Sequence, residues 1–194
     1  MTTTGTPREA LPDRERTRPP RRDVASIVLV ATGDGKGKST AAFGTVMRAV
    51  AREWSVCVVQ FMKSGKWRVG EEAVARRLGV EWWTTGDGFT WNSKDMDETE
   101  ARAREAWRVA RQMIASGDYH LVLLDEITYA INYGWIEIDD VVAALKERPD
   151  HVNVIATGRD APAGLVDVAD TVTEMTKVKH AFDRGIRAKR GIDL

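Results

Sequence analysis

Cysteine is nearly absent. The chain has 194 residues and one Cys, Cys57, so a disulfide framework is excluded and a reducing compartment fits. Cys57 lies in the apolar run SVCVVQF (55–61), the setting of a small buried hydrophobe rather than a nucleophile. Long hydrophobic runs are lacking too. None approaches the ~20 residues of a membrane span. The N-terminus has no apolar segment like that of a secretion signal, so the expected location is the cytoplasm, away from membranes. Nor does one sign of charge dominate. Lys plus Arg and Asp plus Glu both total 29, which gives no general pull toward nucleic acid or acidic lipid. The histidines, His120, His151 and His180, are scattered without metal-ligand spacing. No Asn-Lys-x-Asp motif for reading guanine is present.

What is present divides into an arm and a domain. Residues 1–22 hold four of the six prolines and six arginines against three acids, and have almost nothing to bury. They are expected to form a flexible leader; a basic arm ordering over an anionic ligand or a partner subunit is the sharper alternative. From residue 23 onward, apolar β-branched runs alternate with stretches of helical period. Strands are expected at 25–32, 55–61, 79–85, 120–126, 152–158 and 170–175. Helices are expected from Ser39 through Trp54, at 70–78, at 97–117 with Asp97 as N-cap and Gly117 past the end, at 138–148, and as a turn or two at 164–169. This alternation predicts one α/β domain, a parallel sheet with helices on both faces.

Four motifs carry chemistry. TGDGKGKST (32–40) sits between the first strand and the first helix, where a phosphate-binding loop belongs. Its spacing departs from the common pattern: Thr32 stands where the first glycine is usual, and counting from Gly33 leaves one residue too few. Gly33, Gly35 and Gly37 let backbone N–H groups turn inward around an anion, and the helix behind adds its positive end. Lys38 supplies a mobile charge, Ser39 a hydroxyl for Mg²⁺, and Lys36 a second cation. A ligand-free glycine turn is the bland alternative. LVLLDE places Asp125 and Glu126 at the carboxyl end of a strand, the ligand edge of open α/β sheets. ATGRDAP (156–162) puts Arg159 at the same edge, as an anion clamp or an ordinary surface arginine. GDGFTWN (86–92) carries Phe89 and Trp91, either core residues or a wall for a large flat ligand.

Together these segments resemble one family, the phosphate-loop type of corrinoid adenosyltransferase (cob(I)yrinic acid a,c-diamide adenosyltransferase). The resemblance runs through TGDGKGKSTAAFG, VVQFMKSGKWRVGEE, TGDGFTW, LLDEITYAINYGWI, NVIATGRDAP, DVADTVTEM and VKHAFDRGIRAKRGID, covering about residues 25 to 194. It implies a P-loop NTPase (RecA-like) three-layer fold with a mostly parallel sheet flanked by helices. It also implies a reaction: Co(I) of a reduced corrinoid attacks the 5′-carbon of ATP, forming a Co–C bond and releasing tripolyphosphate. On this resemblance Gly33, Asp34, Gly35, Lys36, Gly37, Lys38, Ser39 and Thr40 enclose the triphosphate. Lys36 and Lys38 also neutralise the leaving group. Arg159 and, at the far end of the first helix, Arg48 contact the nucleotide. Ser39, Glu126 and Asp125 are the metal-side residues, for Mg²⁺ or Mn²⁺. Phe89 and Trp91 match an aromatic pair that displaces the lower axial ligand of the Co(II) corrinoid and so eases its reduction. The implied partners are a flavoprotein reductant and a second copy of the chain. A P-loop ATPase or small-molecule kinase is the alternative enzyme; a nucleic-acid-binding nucleotide switch is disfavoured by the zero net charge and the absence of a basic stripe.

Overall fold

Strands made only of apolar residues have no side to turn to water, so they need cover on both faces. The computed structural model, which describes residues 21–62, 70–84 and 96–192, provides it for the strands Val56–Gln60 and Leu121–Asp125, buried at every position, while the edge strand Thr171–Glu174 is exposed along its length. In chain order the elements are β1 (Val28–Thr32), α1 (Lys38–Val50), β2 (Val56–Gln60), α2 (Gly70–Arg77), β3 (Glu81–Thr84), α3 (Met96–Ser116), β4 (Leu121–Asp125), α4 (Ile127–Asn132), α5 (Ile138–Lys146), β5 (Asn153–Thr157), α6 (Ala163–Val168) and β6 (Thr171–Glu174). The strands form one sheet in the order β3-β2-β4-β5-β1-β6, and every pairing is parallel.

Alternation along each strand divides the core. Val58, Leu121, Leu123 and Ile155 pack with Phe43 and Val46 of α1 and Ala75 of α2. Cys57, Val59, Val122, Leu124 and Val154 face the other way, against Ala110 and Ile114 of α3, Ile131 of α4, Leu145 of α5 and Leu165 of α6. The three-layer α/β arrangement expected from the sequence is therefore present. Cys57 is fully buried, as its apolar context predicts.

The differences from expectation are local. β1 starts at Val28 rather than residue 25, because side chains intercept its backbone. Ile27 N donates to Asn153 Oδ1 at 3.0 Å and Val28 N to Asp170 Oδ2 at 2.7 Å. α3 begins at Met96, so Asp97 lies within its first turn rather than ahead of it; Gly117, at φ 73°, does follow its end. α5 stops at Lys146, and Arg148 folds back to cap it, donating to Leu145 O at 2.6 Å and Val152 O at 2.9 Å. α4 has no counterpart in the sequence reading: six residues, ITYAIN, are too few to display a helical period. Among the described residues, no helix is long and apolar enough to cross a membrane.

Candidate active site

The sheet order sets the site. β5 lies between β1, which leads into the glycine loop, and β4, which ends in the acid pair. All three strands are parallel, so the loop, Asp125-Glu126 and Gly158-Arg159 emerge at one edge.

Thr32 is the last residue of β1, paired with Glu174, and the glycine loop begins after it. Gly33 at φ 93° and Gly37 at φ 120° adopt backbone conformations that suit glycine alone. Gly33 and Gly35 face a second constraint. A Cβ at either would stand 2.6 or 2.5 Å from Met175 O, just beyond β6. Met175 N donates to Thr32 O at 2.8 Å and Met175 O accepts from Gly35 N, so the chain after β6 braces the loop. Thr32, the residue in the usual glycine position, holds the opposite wall: its Oγ1 accepts from Ala161 N at 3.0 Å.

Lys38 opens α1, and its Nζ donates to Gly33 O at 2.6 Å and Gly35 O at 2.7 Å. Its pKa is lowered, first by burial and then by the charge of Arg159; Asp34, Glu126 and Asp160 oppose the shift. That set of charges shows which groups converge on the ammonium. Ser39 and Thr40 follow in the first turn of α1, which among the described residues holds no acid and no side-chain cap. Arg159 Nε lies 3.9 Å from Asp34 Oδ1, a long, half-exposed pair worth little in water. Asn132 of α4 fastens this segment, donating to Asp160 O at 3.0 Å.

The two acids have different surroundings. Asp125 is fully buried: Oδ2 accepts from Gln60 Nε2 at 2.9 Å, and Oδ1 accepts from Thr157 Oγ1 at 2.8 Å. Glu126 has a left-handed backbone (φ 63°), its amide donates to Thr157 Oγ1 at 2.9 Å, and its carboxylate is near enough to act on Lys38. Behind it, Thr128 Oγ1 is buried with no hydrogen-bond partner among the described residues and abuts Gly158, whose φ is 142°.

The loop residues, Glu126 and Arg159 are thus gathered. Arg48 is not. It is exposed in the last turn of α1, ten residues beyond Lys38 and about 15 Å along the helix. Phe89 and Trp91 lie outside the described residues. Gln60, Thr157, Thr128 and Met175 were missed in the sequence. For Gln60 and Thr157 a signal existed: each is a polar residue that closes an apolar run.

Comparison with known proteins identifies the family. The profile of the family "ATP:corrinoid adenosyltransferase BtuR/CobO/CobP" matches residues 25–194. A corrinoid adenosyltransferase of Pseudomonas aeruginosa is 46% identical over 175 residues, covering 89% of this chain and 86% of its own. One from Escherichia coli K12 is 45% identical over 172 residues (89% and 87%). Corrinoid adenosyltransferase CobA of Salmonella typhimurium is 44% identical over 167 residues (86% and 85%). With a phosphate loop, an acid pair and an arginine at one sheet edge, and a family match from the first strand to the last residue, this chain belongs to the ATP:corrinoid adenosyltransferase family.

Proposed function

We propose that the protein transfers the 5′-deoxyadenosyl group of ATP to the Co(I) centre of a reduced corrinoid, cobyrinic acid a,c-diamide or cobalamin. The cobalt electron pair forms the Co–C5′ bond. The C5′–O bond breaks, and its electrons leave with tripolyphosphate. The observation that supports this is the convergence of charge on Lys38, with Arg159 and the glycine loop around it. Such a cradle suits a leaving group that carries the whole triphosphate. Lys36 and Lys38 neutralise charge developing on that leaving group, and backbone amides from Gly33 to Thr40 enclose it.

A hard divalent cation needs oxygen donors. Ser39, at the start of α1, and Glu126, whose carboxylate acts on Lys38, fit that requirement. Asp125, with both oxygens engaged inside the sheet, braces rather than ligates. Mg²⁺, held through Ser39 and Glu126, supplies further charge neutralisation for the triphosphate. Phe89 and Trp91 are assigned to the corrinoid face and Arg159 to the phosphates. A flavoprotein reductant, a homodimer and a cytoplasmic location complete the proposal.

The test is to incubate the protein with Mg-ATP and chemically reduced corrinoid while following the visible spectrum and the phosphate product. A light-sensitive Co–C bond with tripolyphosphate release is expected. Orthophosphate release without a Co–C bond would overturn the assignment. In the same assay, Trp91→Ala should slow reaction from Co(II) with a protein reductant more than reaction from Co(I). Equal losses would remove the redox role of the aromatic pair.

A further inference from the structure

Glu126 departs from the geometry its neighbours set. The residue after a β-strand has no intrinsic reason to turn left-handed, and an L side chain resists doing so. Yet Glu126 sits at φ 63° and ψ 26°. Its amide is held from one strand away. Thr157, the last residue of β5, is fully buried, and its hydroxyl makes two bonds of opposite sense. It donates to Asp125 Oδ1 at 2.8 Å and accepts from Glu126 N at 2.9 Å. Gln60 Nε2 occupies the other Asp125 oxygen at 2.9 Å. The Thr157 proton is directed at Asp125, which leaves the hydroxyl oxygen to accept from the Glu126 amide.

We propose that Thr157 is a positioning residue for divalent-metal binding. Its hydroxyl, oriented by the Gln60–Asp125 pair, draws the Glu126 amide inward. The left-handed turn that results sets the Glu126 carboxylate at the loop edge, within electrostatic reach of Lys38. Outer partners of this kind orient a metal ligand without touching the metal. The inference rests on the reading that Glu126 holds the cation accompanying ATP.

Thr157→Val keeps the branched shape and removes the hydroxyl, whereas Thr157→Ser restores it. Two readouts are taken at a temperature where every variant is folded. Scalar couplings of the Glu126 amide report φ in the free protein. Electron paramagnetic resonance of free Mn²⁺ reports metal affinity in the presence of ATP, and ATP affinity in EDTA serves as reference. In Thr157→Val the positive φ should be lost and the Mn²⁺ dissociation constant should rise about tenfold, the lower end of what such outer partners contribute. ATP affinity in EDTA should hold, and Thr157→Ser should recover both properties. Retention of the positive φ, or unchanged Mn²⁺ affinity, in Thr157→Val overturns the inference. Wild type and Glu126→Gln binding Mn²⁺ equally would overturn the metal reading itself. The φ readout would then still decide whether Thr157 holds the turn.

Discussion

Gly158→Ala puts a methyl group where Thr128 already stands. The added Cβ falls well inside contact with Thr128 Oγ1, and lies 3.0 Å from its Cβ and 3.2 Å from its Cγ2. Thr128 sits in the first turn of α4 and is fully buried, so it has little room to retreat. Two costs combine. Overpacking of a tight contact is worth ~1–3 kcal/mol. Forcing alanine to φ 142°, where L side chains are rare, adds strain of ~1–3 kcal/mol. A loss of about 3 kcal/mol would lower the melting temperature of a domain this size by roughly 6–12 °C. Thr128→Ala should cost much less. The hydroxyl it removes is buried without a partner among the described residues, and relief of that penalty, ~1–3 kcal/mol, offsets the lost methyl packing. In the double variant the overpacking disappears and only the backbone strain remains. Denaturant unfolding of the four proteins should therefore give a favourable coupling of ~1–3 kcal/mol. Since Arg159 follows Gly158, ATP affinity should fall in the single variant and partly recover in the double. Additivity within about 0.5 kcal/mol would refute the claim that Thr128 makes residue 158 glycine.

Two further expectations concern protons. Burial, and secondarily the charge of Glu81, pushes the Cys57 thiol up from 9.0 to about 12. Its contribution to stability is therefore complete below pH 9.0 and declines as pH rises toward about 12, because the unfolded chain gives up the proton first. A thiol reagent at neutral pH should label Cys57 only after denaturation; rapid labelling of the native protein would contradict its burial. Lys38 shifts the other way, lowered from 10.5 by burial and by Arg159. Its charged form is therefore penalised at neutral pH, and the penalty lifts as pH rises through the depressed value toward 10.5. Triphosphate should restore the charge. ATP binding in alkaline buffer below pH 10.5 is thus expected to take up protons, visible as a calorimetric enthalpy that varies with the buffer. A buffer-independent enthalpy, or the same uptake in Lys38→Arg, would remove Lys38 as the source.

The elements that could be read from sequence are those whose signal is local. β2 and β4 are buried at every position, so each appears as an apolar run closed by one polar residue. Gly33, Gly37 and Lys38 announce a phosphate loop because the backbone there has few ways to turn. What escaped depends on strand order. Gln60 and Thr157 stand 65 and 32 residues from Asp125, and they meet it only because β4 lies between β2 and β5. Met175 braces Gly35 because β6 pairs with β1, which no local pattern specifies. The loop's unusual spacing also has a tertiary cause. Thr32 is still in the strand, so Gly33 makes the first turn, while the threonine hydroxyl anchors the backbone of Ala161 beside Arg159. A glycine at position 32 would supply freedom where none is used and would lose that anchor.

The contacts inside the cradle bear on how a triphosphate would enter. Lys38 is satisfied by two neutral carbonyls, those of Gly33 and Gly35, and Arg159 by a carboxylate 3.9 Å away in a half-exposed pair. Neither is a strong competitor for phosphate. A neutral acceptor is a weaker partner for an ammonium than a charged one, and an exposed ion pair at that distance contributes little. The carboxylate of Asp125, which would repel the ligand from close range, is turned into the sheet by Gln60 and Thr157. Glu126 remains at the edge, in the left-handed turn whose amide Thr157 accepts. A cation arriving with ATP would offset its charge. On the proposed reaction this division matters more than it would for hydrolysis. When C5′ is the reacting atom, the entire triphosphate departs and its charge develops along the whole chain of phosphates. The site then requires cations distributed around the loop, as Lys38 and Arg159 are.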